Sequence, residues 1–297
     1  MAITTNDYYR YKPSLDAAIV VAILYTLAFM GTIFQFLRYR SWVWTVMVVA
    51  LGMEAAGYIT RCISAKNVDN KDLYIIQYTL VVLAPVLMAA ACYIVFGRIV
   101  FHVVPKEART TRLLWIPPRL VTPIFVACDI LALVFQLWGA VQITSVTPGA
   151  ADAASKAKKG KKIAQIGVAI QLICFGLFSI IAVRFNFTSK RFATSLEERL
   201  TNINEKYCTI DGTDHKLKKN WQHILRVTNI ASLCILIRSV YRMVDFSLGR
   251  TGYTSSHEWC MYVFDAMIIF PVVVLYVHWH PSKYLPYLGF RLPKHAR

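Results

Sequence analysis

Seven stretches of apolar residues, most of them about twenty long, constrain this chain more than any other feature it has. At a rise of about 1.5 Å per residue, roughly 20 helical residues cross the ~30 Å hydrocarbon layer of a bilayer. A core helix in a soluble protein is usually half that length and polar along one face. The blocks run at about 15–36, 42–63, 73–101, 120–144, 163–183, 224–246 and 259–280. The reading is an all-α polytopic membrane protein: one seven-helix transmembrane domain over residues 1–297. The first block is too long for the apolar core of a signal peptide and is read as a retained helix. Pro85 should kink the third block unless a neighbouring helix satisfies the carbonyl it frees.

Charge is consistent with this. Only 16% of residues are charged, against about a quarter in soluble domains. The net charge of +17 lies in the segments between the blocks, where membrane topology places Lys and Arg, so nucleic acid is not an expected partner. Counted by alternate loops, Arg38, Arg40, the 106–119 loop, the 184–219 segment and the tail outweigh the other side. The N-terminus is therefore expected outside and the C-terminus in the cytoplasm. The Lys156–Lys162 run, read as a solvated loop, counts the other way. The sequon at Asn186 falls on the cytoplasmic side and is read as unused. Trp42, Trp44, Trp221, Trp259 and Trp279 sit near block ends, as an aromatic belt would. The segment 184–220 is long and basic enough for a cytoplasmic partner to dock.

Enzyme chemistry finds little support. The chain has no Walker A, GxSxG or HExxH sequence, and its seven cysteines show no metal-ligand spacing, so neither catalysis nor a cofactor is expected. Carboxylate-based hydrolysis would lack a recognisable nucleophile. His278 and His280, two apart on a helix, point in different directions and are read as interfacial. Cys62 and Cys260 fall near the same membrane face, which leaves a disulfide between them open.

The polar residues inside the blocks carry the functional reading. Ionisable groups in a span are costly and normally face a partner or a wet cavity. Glu54, Tyr58 and Arg61 stand at i, i+4 and i+7; so do Arg238, Arg242 and Asp245, with Tyr241 beside them, and Glu258, Tyr262 and Asp265. Asp129 and Gln136 are seven apart, and Gln77 and Gln171 add amides. Five carboxylates face three arginines, an acidic surplus of two if all are ionised. Such a zone in the outer half of the bundle could accept a cationic headgroup. The competing reading is a set of ion pairs that only lock helices together.

Taken in order, Tyr11-Lys-Pro13, Glu54-x-x-Gly57-Tyr58-x-x-Arg61, Gln77 with Leu83-Ala84-Pro85 and Tyr93, and Asp129 with Gln136 and Gly139 form a distinctive set. Gly167 with Gln171, Arg238-x-x-Tyr241-Arg242-x-x-Asp245, Gly252, Glu258 and Asp265 complete it. With these residues the chain resembles the fungal lipid-translocating exporter family, of the resistance-to-aminocholesterol type. Asp245 stands where that pattern usually has Glu. The resemblance implies a seven-helix protein, most readily of the plasma membrane, linked to export or flipping of sphingoid long-chain bases and to sterol or drug tolerance. On this reading Glu54, Asp129, Glu258 and Asp265 would hold an amine, with Arg61, Arg238 and Arg242 setting carboxylate charge. The partners would be membrane lipids and an amphipathic substrate. The alternative is a seven-helix receptor or lipid sensor that acts on lipid asymmetry indirectly.

Overall fold

The computed structural model describes residues 9, 11, 13–68, 70–104, 114–144, 153–190, 221–249 and 252–285. Among them there is no strand, and seven helices are long and apolar enough to cross a membrane. They are α1 (Leu15–Tyr39), α2 (Thr45–Lys66), α3 (Lys71–Val103), α4 (Pro118–Thr144), α5 (Ala153–Thr188), α6 (Gln222–Leu248) and α7. The last begins at Glu258–Met261, passes through a π turn at Tyr262–Ala266 and continues as Met267–His278.

Local chemistry explains several helix ends. Ser14 accepts from the Ala17 amide at the start of α1, and Asn70 accepts from the Asp72 and Leu73 amides at the start of α3. Gly249, at φ +68°, ends α6, and Lys161 donates to the Ser247 carbonyl one residue before that end. The lysine run 156–162 is therefore not a loop: it forms the first turns of α5, since Lys and Ala are good helix formers.

Successive helices pack side by side, and α1 closes the ring on α7. The helix at the centre is α3, which meets α2, α4, α5 and α6 and buries the largest share of its span. Outward faces are apolar: Leu27, Met30, Phe34 and Leu37 form one stripe of α1 and are 62–68% exposed, which only lipid surroundings make stable. Two places bring backbones close. A Cβ on Gly57 would lie 2.8 Å from Val81 Cγ2 of α3, and one on Gly139 would lie 2.5 Å from the Ala164 amide nitrogen of α5.

The end of the bundle away from the N-terminus is packed with aromatic side chains. Tyr93, Phe96, Phe125, Phe175, Phe178 and Phe185 interlock there, with Tyr93 and Phe178 edge to face at 4.6 Å. Two belt tryptophans belong to this interior: Trp42 and Trp259 are exposed, but Trp44 and Trp221 are buried. His280 is likewise buried, stacked on Tyr39 and edge-on to Trp44, because the chain turns inward at Pro281 and the ring caps the Ser282 amide. His278 remains at the surface. Cys62 and Cys260 are both free thiols.

Candidate functional site

Pro85 organises the centre of the site. It has no N–H, so the Val81 carbonyl four residues earlier loses its intrahelical donor. Arg238 of α6 fills the place, with Nη2 2.8 Å from that carbonyl oxygen, and α3 runs through Pro85 as one helix. The Nε of Arg238 donates to Asp265 Oδ1, and Nη2 of Arg242, one turn later on the same face, donates to Asp265 Oδ2. One carboxylate from α7 thus joins two arginines from α6, and one of these reaches α3.

The π turn makes this possible. The Met267 amide bonds to the Tyr262 carbonyl five residues back, which inserts an extra residue into the turn and rotates the rest of the helix. Glu258, Tyr262 and Asp265, at one-face spacing on a uniform helix, therefore serve different neighbours. Glu258 and Tyr262 face Arg61 of α2: Arg61 Nη2 lies 2.8 Å from Glu258 Oε1 and its Nε 3.0 Å from the Tyr262 hydroxyl. Asp265 faces α6.

This pairing shows where the acidic surplus lies. Arg61 takes Glu258, Arg238 and Arg242 take Asp265, and Arg242 Nη1 stands 4.0 Å from Asp245 Oδ2. Two carboxylates remain, both almost fully buried. Glu54 has no hydrogen-bond partner for Oε2 among the described residues and sits by the stacked rings of Tyr25 and Tyr58. Asp129 makes no well-formed hydrogen bond through either oxygen, with the Tyr93 hydroxyl beside it. Gln136 and Gln171 bond to each other at 2.9 Å across α4 and α5.

A cavity opens at the end of the bundle that holds the start of α1, α3 and α7 and the end of α2 and α6. Its free volume is small, about 80 Å³, and it is partly open. Of the residues singled out in the sequence, Arg61, Gln77, Tyr241, Arg242 and Asp245 line it. Glu54, Tyr58, Asp129, Gln136, Arg238, Glu258 and Asp265 do not. Gln136, Arg238 and Arg242 meet instead around a smaller recess with Gln171 and Ser239.

Asp245 is the cavity's carboxylate. Its Oδ1 accepts from Thr254 Oγ1 at 2.7 Å and Ser255 Oγ at 2.9 Å. Much of the remaining wall is tyrosine (Tyr9, Tyr11, Tyr74, Tyr78 and Tyr241), with Val81 and Met261. Arg242 lies over the Tyr78 ring at 5.2 Å. Tyr9 is buried, with its hydroxyl 2.8 Å from Ser64 Oγ and accepting from Gln77 Nε2. Burial pushes its phenol above the ordinary value, against smaller opposing effects of the Ser64 bond and Arg61, so it remains a neutral hydroxyl. The sequence pointed to few of these residues. Tyr74 and Tyr78 flank Gln77 at a spacing of four and could have been found by it, whereas Tyr9, Thr254 and Ser255 lie outside the spans, where no cost of burial marks them. Of the proposed docking segment, residues 191–220 lie outside those described.

Among known proteins, the family described as RTA1 like protein matches residues 47–287. Protein RTA1 of Saccharomyces cerevisiae is 28% identical over 93% of this chain and 86% of its own length. Protoporphyrin uptake protein 1 of the same organism is 32% identical over 75% of this chain and 64% of its own length. Sphingoid long-chain base transporter RSB1 of S. cerevisiae (strain Lalvin EC1118 / Prise de mousse) is 23% identical over 95% of this chain and 75% of its own length. No solved structure matches.

Proposed function

This chain belongs to the RTA1-like family, and from that premise we propose that it translocates amphipathic lipids with a cationic, hydroxylated head, of the sphingoid long-chain base type. The observation that carries the proposal is the cavity: among the described residues one carboxylate lines it, Asp245, set among tyrosine, threonine and serine hydroxyls at one end of a seven-helix bundle. An ammonium would approach Asp245, with tyrosine faces adding cation–π attraction. Head hydroxyls would exchange hydrogen bonds with the walls, and the tail would stay in lipid.

Asp265 and Glu258 are spoken for by arginines, so their part is to hold α2, α6 and α7 in place and to neutralise the guanidiniums behind the cavity. The amine-holding role expected of Glu54, Asp129, Glu258 and Asp265 passes in this proposal to Asp245, which lines the cavity as they do not. By the distribution of Lys and Arg the cavity mouth faces outward, in keeping with a place in the plasma membrane and with release of substrate to the outer leaflet.

The test is transbilayer movement of a fluorescent long-chain base in liposomes containing only the purified protein. Movement above protein-free vesicles is expected, and Asp245→Asn should weaken binding about 10- to 100-fold by removing a charge-assisted contact of ~1.5–3 kcal/mol. Binding without movement would favour a lipid sensor.

A further inference from the structure

Part of the cavity wall is the chain's own N-terminal strap. Tyr9 and Tyr11 lie there outside any helix, their rings edge to face at 5.9 Å, with Tyr9 against Tyr74 at 5.0 Å. Polar contacts tether the strap to three helices. The Tyr9 hydroxyl meets Ser64 of α2 and Gln77 of α3, the Tyr11 hydroxyl accepts from Arg61 Nη2 at 3.1 Å, and the Ser14 amide donates to Glu258 Oε2 at 2.8 Å. The helices beneath are held along whole faces; the strap is held at points, which makes it the locally weakest element of the site.

Arg61, Ser64 and Gln77 are all at least nine-tenths buried. If the strap left, the Arg61 and Gln77 donors it satisfies would be stranded unless something else supplied acceptor oxygens. An ammonium cannot, since it only donates. Gln77 is also incompletely satisfied as it stands: its Oε1 is buried and has no hydrogen-bond partner among the described residues. A small hydroxyl, able to donate and accept, would serve both ends of that amide, which the anchored phenol does not do.

We propose that the Tyr9 and Tyr11 hydroxyls stand where head hydroxyls of the ligand bind, so that the strap is a tethered competitor and the site selects hydroxylated over deoxy amines. This rests on the reading of the cavity as a headgroup site. Asp245 takes the ammonium, while Gln77 and Arg61 read the neighbouring oxygens. Binding of such a head displaces the strap and frees the Ser14 amide from Glu258.

The experiment uses the full chain in nanodiscs, as wild type and as the double variant Tyr9→Phe with Tyr11→Phe, whose aromatic packing is preserved. Each is titrated with a dihydroxylated long-chain base and with its analogue lacking the head hydroxyls. Amide hydrogen exchange is followed in the peptide containing Ser14. The double variant should bind the hydroxylated base about tenfold more tightly, the analogue unchanged, as the lost intramolecular bonds no longer compete. In the wild type the hydroxylated base should speed exchange at Ser14. Weaker binding by the double variant, an equal change for both bases, or ligand-induced protection of the Ser14 peptide would overturn the competitor and leave the headgroup site standing. Failure of folded wild type to bind either base would remove the headgroup site and the inference with it.

Discussion

Replacing Asp265 with asparagine strikes the contact on which three helices depend. The carboxylate is 1% exposed and accepts from both Arg238 and Arg242. Asparagine keeps one acceptor oxygen but turns an NH₂ group toward a guanidinium and leaves two buried positive charges, with Asp245 4.0 Å from Arg242 as the remaining close counter-charge. Removing one partner of a buried ion pair costs about 3–5 kcal/mol, much of it the stranding of the other partner. At roughly 2–4 °C per kcal/mol, that corresponds to a fall in unfolding temperature on the order of 10 °C. Thermal unfolding of purified protein in nanodiscs, followed by tryptophan fluorescence, measures it. Glu54→Gln is the control: equally buried but paired with no arginine among the described residues, it should change stability by less than about 1 kcal/mol. Adding Arg242→Gln to Asp265→Asn removes one stranded charge and should restore at least ~1 kcal/mol. The reasoning fails if Asp265→Asn unfolds with the wild type while Glu54→Gln unfolds well below it.

Three further outcomes follow from the geometry. Gly139→Leu should cost more than about 3 kcal/mol and lower the yield of monodisperse protein, because its Cβ would meet the α5 backbone at 2.5 Å, where no rotamer change helps. Arg61→Lys should lose about 1–3 kcal/mol in the same unfolding assay, since one ammonium cannot span the Tyr11, Tyr262 and Glu258 contacts of the planar guanidinium. Lys161→Ala removes a bond to the Ser247 carbonyl near the end of α6; partly exposed, it should cost under about 1 kcal/mol, and hydrogen exchange should rise in the last turn of α6 before the global unfolding temperature moves.

Much of the fold could be read in advance because bilayer thickness acts on block length alone. The seven spans needed no knowledge of neighbours, and Pro85 already posed the choice between a kink and a donor from a neighbouring helix, which Arg238 settles. What spacing could not give was the partner of each charge. Glu258, Tyr262 and Asp265 share a stripe on a uniform helix, yet the π turn sends the first two to α2 and the third to α6. Trp44 and His280 have the composition of interfacial residues and are interior, because the short link after α1 and the turn at Pro281 fold them inward.

The sequence by itself determined that this chain lies in a membrane, how many times it crosses, and that an excess of carboxylate must be held somewhere inside. These follow from transfer energies, which depend on what a residue is. Only the tertiary structure decided that the excess falls on Glu54 and Asp129, and that Asp245, Tyr9 and Tyr11 line the cavity. Pairing depends on distance, and distances between helices are set by Gly57, Gly139 and the π turn acting together, which no single stretch of sequence contains.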